Sequence, residues 1–421
     1  MTDIPDGARS SATPSAEAAA LLAELAADRD AIAADILDLV RVESHSLDVA
    51  ALARCAEAVR ALAVRLLGAP DREERVSGAA QDRGDVLALT YAGTGPGHVV
   101  LLGHYDTVWP TGTLADWPAG PGPAPDALDG ADDQLDPQGR PTLTGPGILD
   151  MKSGVVQGFW ALAALRRQGA SGQPIPTVTY VLTGDEEVGS YASRSTVERI
   201  CWGVDATLVL EPSADGHPKS ERKGTGLTRV GVIGVEAHSG LEPEKGASAV
   251  HALAEAVGQF VAAARPDLGT TVNVGVIGGG SGANVVAGEA TALVDIRVTR
   301  PEEPARIDAA FAAVQPRDER VSIAIETDWS RPPMVLTEAS RALLRVVQEA
   351  GAALGRRLGH VSVGGASDAN FVCALGKPVL CGLGAVGAGP HARHEHILLD
   401  AIPSQNRAGR REPAPPRGRL P

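Results

Sequence analysis

Aromatic residues make up only 3% of this 421-residue chain, and its 38 basic residues are outnumbered by 52 acidic ones, for a formal net charge of −14. Stacking on bases needs aromatic platforms, and releasing counterions from a phosphate backbone or an anionic lipid surface needs a basic face. Nucleic acid and membrane surfaces are therefore not expected partners. No apolar run approaches the roughly 20 residues of a membrane-spanning helix. The opening stretch MTDIPDGARSSATPSAEAAA has no basic start followed by an apolar block, so a cytoplasmic location is expected. The four cysteines, Cys55, Cys201, Cys373 and Cys381, are scattered rather than arranged in metal-type pairs, and they read as buried, reduced thiols.

What is present is a 44% hydrophobic fraction on a chain long enough for two domains. Residues 1–15 are rich in Ser and Pro and read as disordered, whereas Glu17 to Val40 carries apolar residues at helical spacing. Short apolar runs then alternate with helical stretches: 85–91, 98–103, a helix from about Ser153 to Gln168, 177–183 and 206–211. This alternation predicts an α/β fold with a mostly parallel sheet. Between about Lys223 and Pro332 the order becomes strand, helix, strand, strand, helix, strand, the ferredoxin-like α+β pattern. The expected organisation is a catalytic domain over 16–222 and 333–403, an inserted domain over 223–332, and a disordered tail over 404–421. A helix from about Ser340 to Leu354 and strands at 360–363 and 378–382 should complete the first sheet. Pro118 to Pro141, loaded with Pro, Gly and Asp, reads as a long acidic surface loop.

Five clusters carry candidate chemistry. In LLGHYDTVWP an apolar strand ends in His104 and Asp106; residues two apart on a strand share a face, so the carboxylate can accept the ring N–H and aim the other nitrogen at a metal. In GPGILDMKSG, Asp150 stands just before a helix, where capping is a simpler explanation than metal bridging. LTGDEEVGS places Asp185, Glu186 and Glu187 at a strand end; a solvated acidic turn is the plain alternative to a ligand with a neighbouring base. LVLEPS closes a strand with Glu211, and GAGPHARHEHI offers His391, His394 and His396. Singly each has an ordinary structural explanation. Together, mixed His and Asp/Glu sets without cysteine suit a catalytic zinc site.

The combination of HxD, GxxDxK, DEE, LEP and GxGxHA, from about residue 35 to Pro403, resembles the dizinc aminoacylase and carboxypeptidase family of metallopeptidases. Within it the resemblance is strongest to the glutamate carboxypeptidase (carboxypeptidase G) branch. It implies a zinc exopeptidase-like catalytic domain and an inserted dimerisation domain. It also implies that His104 and Glu211 hold one zinc ion, Glu187 and His391 the other, and Asp150 bridges them, with Asp106 orienting His104 and Glu186 acting as general base. Cobalt or manganese could replace zinc. A non-proline cis peptide is implied at Asp150 to Met151, and His394 and His396 are left as surface residues. In the inserted domain the resemblance gives His238 as a catalytic residue that reaches a partner subunit's site in a homodimer. Asn284, Arg297, Arg331 and Ser367 match positions around the substrate, where a guanidinium suits a carboxylate. For Arg297 a salt bridge within the small domain is the alternative.

The implied reaction is hydrolysis of the amide bond to a C-terminal amino acid, glutamate first, in a peptide or N-acyl amino acid. An aminoacylase, a dipeptidase or a succinyl-diaminopimelate desuccinylase would keep the same metal residues. A non-catalytic zinc-binding scaffold is the rival of another class. Two departures stand out: the loop 118–141 is long, and NRAGRREPAPPRGRLP cannot form the amphipathic C-terminal helix of the family, which should lower stability.

Overall fold

The computed structural model describes residues 16–122 and 140–402. The first fifteen residues, most of the expected acidic loop and the expected tail lie outside the described residues. The expected Glu17–Val40 helix is two helices, Ala16–Ala27 and Arg29–Val40, separated at Asp28. A further helix, Val49–Leu67, begins where the Asp48 carboxylate accepts from the Ala51 N–H at 2.9 Å and ends at Gly68. Its buried Leu52, Cys55, Val59 and Leu62 recur at helical spacing.

Five strands follow in the main sheet: β1 (Arg72–Val76), β2 (Val86–Tyr91), β3 (His98–His104), β4 (Thr177–Thr183) and β5 (Ala206–Val209). They lie in the order β1-β2-β4-β3-β5, with Val379–Leu380 at the far edge. The pairings β4–β3, β3–β5 and β5 to Val379–Leu380 are parallel, and β1–β2 and β2–β4 antiparallel. Alternate side chains feed two cores. Leu87, Leu89, Tyr91, Tyr180 and Leu182 pack with Ile32, Ile36, Val59 and Phe159 on one side. Val86, Ala88, Val100, Leu102 and Val181 meet Val197, Cys201 and Val372 on the other. Covering both faces explains the continuous apolar runs. The four cysteines are buried and free. No helix among the described residues is long and apolar enough to cross a membrane.

The second sheet comprises β6 (Gly224–Ile233), β7 (Thr271–Gly279), β8 (Glu289–Val298) and β9 (Ser322–Arg331). Its order is β7-β8-β6-β9 and every pairing is antiparallel, as the β-α-β-β-α-β pattern requires. Along β8 buried and more accessible residues alternate. Its inward Val294 and Ile296 join Phe260 and Phe311 from the helices Ala249–Ala262 and Glu303–Ala312 in a core of its own. The two phenyl rings meet edge to face with centroids 4.7 Å apart.

One strand assignment needs correction. Val361–Val363 does not extend the main sheet; it pairs in parallel with Lys219–Arg222 in a separate two-stranded sheet. A three-residue run carries an alternation but no information about its partner. Replacing Phe260 by Ala should destabilise the second sheet by about 3–5 kcal/mol, the usual range for emptying a buried phenyl site. The check is a urea titration; an unchanged midpoint would contradict the packing described.

Candidate active site

Parallel pairing brings the C-terminal ends of β4, β3 and β5 to one edge of the main sheet: His104 lies opposite Thr183, and Leu102 opposite Val209. The residues just beyond those ends therefore converge. His104, 1% exposed, places Nε2 3.3 Å from Asp150 Oδ1 and 3.7 Å from Glu211 Oε1. On the opposite side His391 Nε2 lies 3.4 Å from Asp150 Oδ2 and 3.0 Å from Glu187 Oε2. Asp150 thus turns one carboxylate oxygen towards each histidine. Ligand atoms of His104, Asp150 and Glu187, and of His104, Glu186 and Glu211, each lie within 4.8 Å of one another.

The loop bearing Asp150 is built for this. Gly147 is left-handed, and a Cβ there would come within 2.3 Å of the Thr107 methyl. Asp150 has non-helical backbone angles and the Asp150–Met151 peptide is cis. Its carboxylate faces the histidines and does not cap the Ser153–Ala170 helix, whose start carries no side-chain cap. Glu395 holds the turn. Its Oε1 accepts from the Leu149 and Asp150 N–H groups at 2.8 and 3.0 Å, and its Oε2 accepts from the Gly147 N–H and the Trp109 indole at 3.1 and 2.8 Å. The only sequence signal for this was its place four residues after His391. His391 itself has φ 62, an uncommon backbone conformation for a non-glycine residue.

Asp106 does more than face His104. The ring Nδ1 is 3.0 Å from the Asp106 carbonyl oxygen and 3.4 Å from its carboxylate. That carboxylate also accepts from the Glu186 and Glu187 N–H groups at 3.2 and 3.1 Å, and from Ser46 at 2.7 Å. The three adjacent acids are not a solvated turn. Asp185 is fully buried and accepts from the N–H groups of Ala192 and Ser193, while the Glu186 and Glu187 side chains are 10% and 6% exposed.

Of the residues expected around a substrate, Arg331 is buried beside the cluster. Its Nη2, with two N–H hydrogens to share, lies 2.8 Å from Glu186 Oε1, 2.8 Å from Ser190 Oγ and 3.0 Å from Asp368 Oδ1. Ser367 is buried and its hydroxyl accepts from the Ala369 N–H. His238 and Asn284 lie together, exposed, on a small ribbon in which Ala237 and His238 pair with Val286 and Val285. His238 Nδ1 accepts from the Gly240 and Leu241 N–H groups, which leaves Nε2 as the hydrogen-bearing nitrogen of the neutral ring. Arg297 makes a two-pronged salt bridge to Asp295 on its own strand. His396 is not a surface residue; it is 3% exposed in the strand His396–Leu398.

The electrostatics favour a cation. Burial acts to lower the His104 pKa, but hydrogen bonds to Asp106 and Asp150 and the charge of Glu186 carry it well above its ordinary value. His391 is pushed up to about 11 by hydrogen bonds to Asp150 and Glu187. Glu187 is raised to about 7, chiefly by burial. Burial opposes ionisation of Asp150 as well, yet the two histidines hold it well below the usual carboxylate range. In addition, Glu187 Oε1 is buried with no hydrogen-bond partner. An orphaned carboxylate oxygen among imidazole and carboxylate donors fits a divalent metal site.

A mixed α/β sheet with this His, Asp and Glu set beyond its parallel strand ends defines a zinc exopeptidase-like hydrolase fold. The chain belongs to peptidase family M20/M25/M40, which it matches over residues 100–408; it is a metallopeptidase-type amidohydrolase. It is 27% identical over 332 residues to carboxypeptidase G2 of Pseudomonas sp. (strain RS-16), covering 76% of this chain and 74% of that one. It is 28% identical over 320 residues to succinyl-diaminopimelate desuccinylase of Verminephrobacter eiseniae, covering 72% and 75%. The solved structure of aminopeptidase PepT from Bacillus cereus superimposes with a TM-score of 0.70 at 22% identity, covering 90% of this chain and 95% of that one.

Because imidazole must be neutral to bind a metal, loading this site should release protons, and affinity should rise with pH up to the value of about 11 to which His391 is pushed. The sign follows from His391, whose raised pKa keeps it protonated at neutral pH until a cation displaces the proton. Calorimetric zinc titrations in two buffers of different ionisation heat would count the protons; a count of zero would refute this reading of the site.

Proposed function

We propose that this chain is a dizinc metallocarboxypeptidase that hydrolyses the amide bond to a C-terminal amino acid, glutamate first, in a peptide or N-acyl amino acid. The observation that carries the reading is the Asp150 carboxylate, with one oxygen towards His104 and the other towards His391. His104 and Glu211 would hold one ion, His391 and Glu187 the other, and Asp150 both. When bound, two such cations supply Lewis-acid polarisation of the scissile carbonyl and an acidified water.

The chain's own part is proton transfer and orientation. Glu186 lies beside His104 and Glu211 and is the general base: it takes the proton of the attacking water and returns it to the departing amine. Burial raises its carboxyl well above the usual carboxylate range against the pull of Arg331, which strengthens it as a proton acceptor. Arg331 fixes this carboxylate by donating to Oε1 and to the Glu186 carbonyl. Asp106 holds the same turn from below through the two backbone N–H groups.

Preference for glutamate rests on the similarity to carboxypeptidase G2. The comparable identity to a succinyl-diaminopimelate desuccinylase supports a second reading, a deacylase of N-acyl amino acids with the same centre. In either case residues 223–332 form an inserted dimerisation domain, and His238 and Asn284 serve the site of a partner subunit in a homodimer. The exposed Val276 and Ile277 on the edge strand β7 support such a contact.

Glu186→Gln should keep its metal content and lose about 10²–10⁴ in turnover, measured on a panel of N-acyl amino acids. Full activity of that variant would remove Glu186 from the role of base. Arg331→Ala with metal retained should lower turnover on every member of the same panel, because it frees the Glu186 carboxylate; unchanged turnover would remove Arg331 from that role.

A further inference from the structure

The chain crosses between the two sheets twice, and each crossing carries a buried arginine into the carboxylate cluster. On the outward path Lys219–Arg222 precedes β6, and on the return β9 ends in Arg331. The crossings are tied together, since Arg222 and Met334 exchange N–H to carbonyl hydrogen bonds at 3.0 and 2.9 Å. The two arginines differ in what they neutralise. Arg331 is shared between Glu186 and Asp368, so its charge is already matched. Arg222 has one carboxylate partner among the described residues: Nη2 donates to Glu211 Oε2 at 3.1 Å. Its remaining contacts are the Gly365 and Ala366 carbonyls at 3.0 and 2.9 Å and Cys381 Sγ at 3.2 Å.

The two ends of the centre are consequently unequal. At the His104 end, Glu211 has one oxygen taken by a guanidinium and one, Oε1, facing the histidine. At the His391 end, Glu187 has Oε2 on the histidine and Oε1 buried without a hydrogen-bond partner. A fixed positive charge next to one ligand, in a buried setting where charges are poorly screened, must lower the attraction for a cation there. It also holds Glu211 to a single free oxygen, whereas Glu187 has both available for coordination.

Resting on the two-cation reading above, we propose that Arg222 makes the His104–Glu211 end the weaker of two cation sites, so that the centre loads and empties in two separate steps with the His391–Glu187 end the tighter. The arginine acts through Glu211 and is a positioning residue; it reaches no substrate atom in this scheme. The device gives the protein a state with one ion held and one exchangeable, controlled by a side chain at the junction of the two sheets.

Dialysis of the zinc-loaded protein against buffers of graded free zinc, with bound zinc counted by plasma mass spectrometry, tests this. The wild type should fall from two ions to one before losing the last. Arg222→Gln should retain its second ion down to free zinc about tenfold lower or less, with the tighter step unmoved, while Arg222→Lys, which keeps the charge, should follow the wild type. Loss of the second ion at higher free zinc in Arg222→Gln, or no change, overturns the proposal. Should Arg222→Gln fail to fold by near-ultraviolet circular dichroism, Glu211→Gln and Glu187→Gln decide the order of the sites. The first should retain an ion at the wild type's tighter affinity and the second should not; the reverse overturns the proposal. A wild type that never binds two ions would sink the two-cation reading itself, a result distinct from either.

Discussion

Carboxylates crowded out of water repel one another unless positive charge is placed among them, and the structure around this site is arranged by that requirement. Asp106, Asp150, Glu186, Glu187 and Glu211 converge beyond the ends of three parallel strands, with Asp106 fully buried and Glu211 6% exposed. Two histidines, two arginines and a set of backbone N–H groups answer them. Even so, the balance is incomplete: Glu187 is pushed towards neutrality by burial, and one of its oxygens has no hydrogen-bond partner. Isolated, such a cluster would be destabilising; as a receptor for divalent cations it is an ordinary solution.

The same requirement explains why so many supporting contacts run through backbone. Glu395 collects three N–H groups from the turn that carries Asp150, and Asp106 collects two from the turn that carries Glu186 and Glu187. Each of these acids sits within a few residues of a histidine of the site, Asp106 after His104 and Glu395 after His391. Two histidine-bearing segments are thereby locked to two acid-bearing turns, which fixes the relative placement of groups far apart in the chain. The arginines at the sheet crossings extend the lock to the second sheet.

Much of this was legible from the letters. The strand runs ending at His104, Thr183 and Val209 were readable because both faces of the sheet are covered, and the β-α-β-β-α-β order because the period switches between 2 and 3.6. The helix Val49–Leu67 carried its own signals, a capping Asp48 and apolar spacing, which the linear reading did not use. His396 was misread because a histidine in a polar run resembles a surface residue until its strand pairing with Thr144 is known. Asp368 gave no local signal because its partner Arg331 is distant in the chain, and Arg222 gave none because the eleven positions from Glu211 to it carry no regular period that would bring the two together.

The amino-acid order alone determined the α/β class, the family resemblance and which acids and histidines stand at strand ends, because period and chemistry are properties of neighbouring residues. Which of those groups face one another was decided only in the folded chain. The pairing of Arg222 with Glu211, of Arg331 with Glu186, and of Asp150 with both histidines depends on parallel strand register and on two chain crossings, and no local pattern encodes such distances.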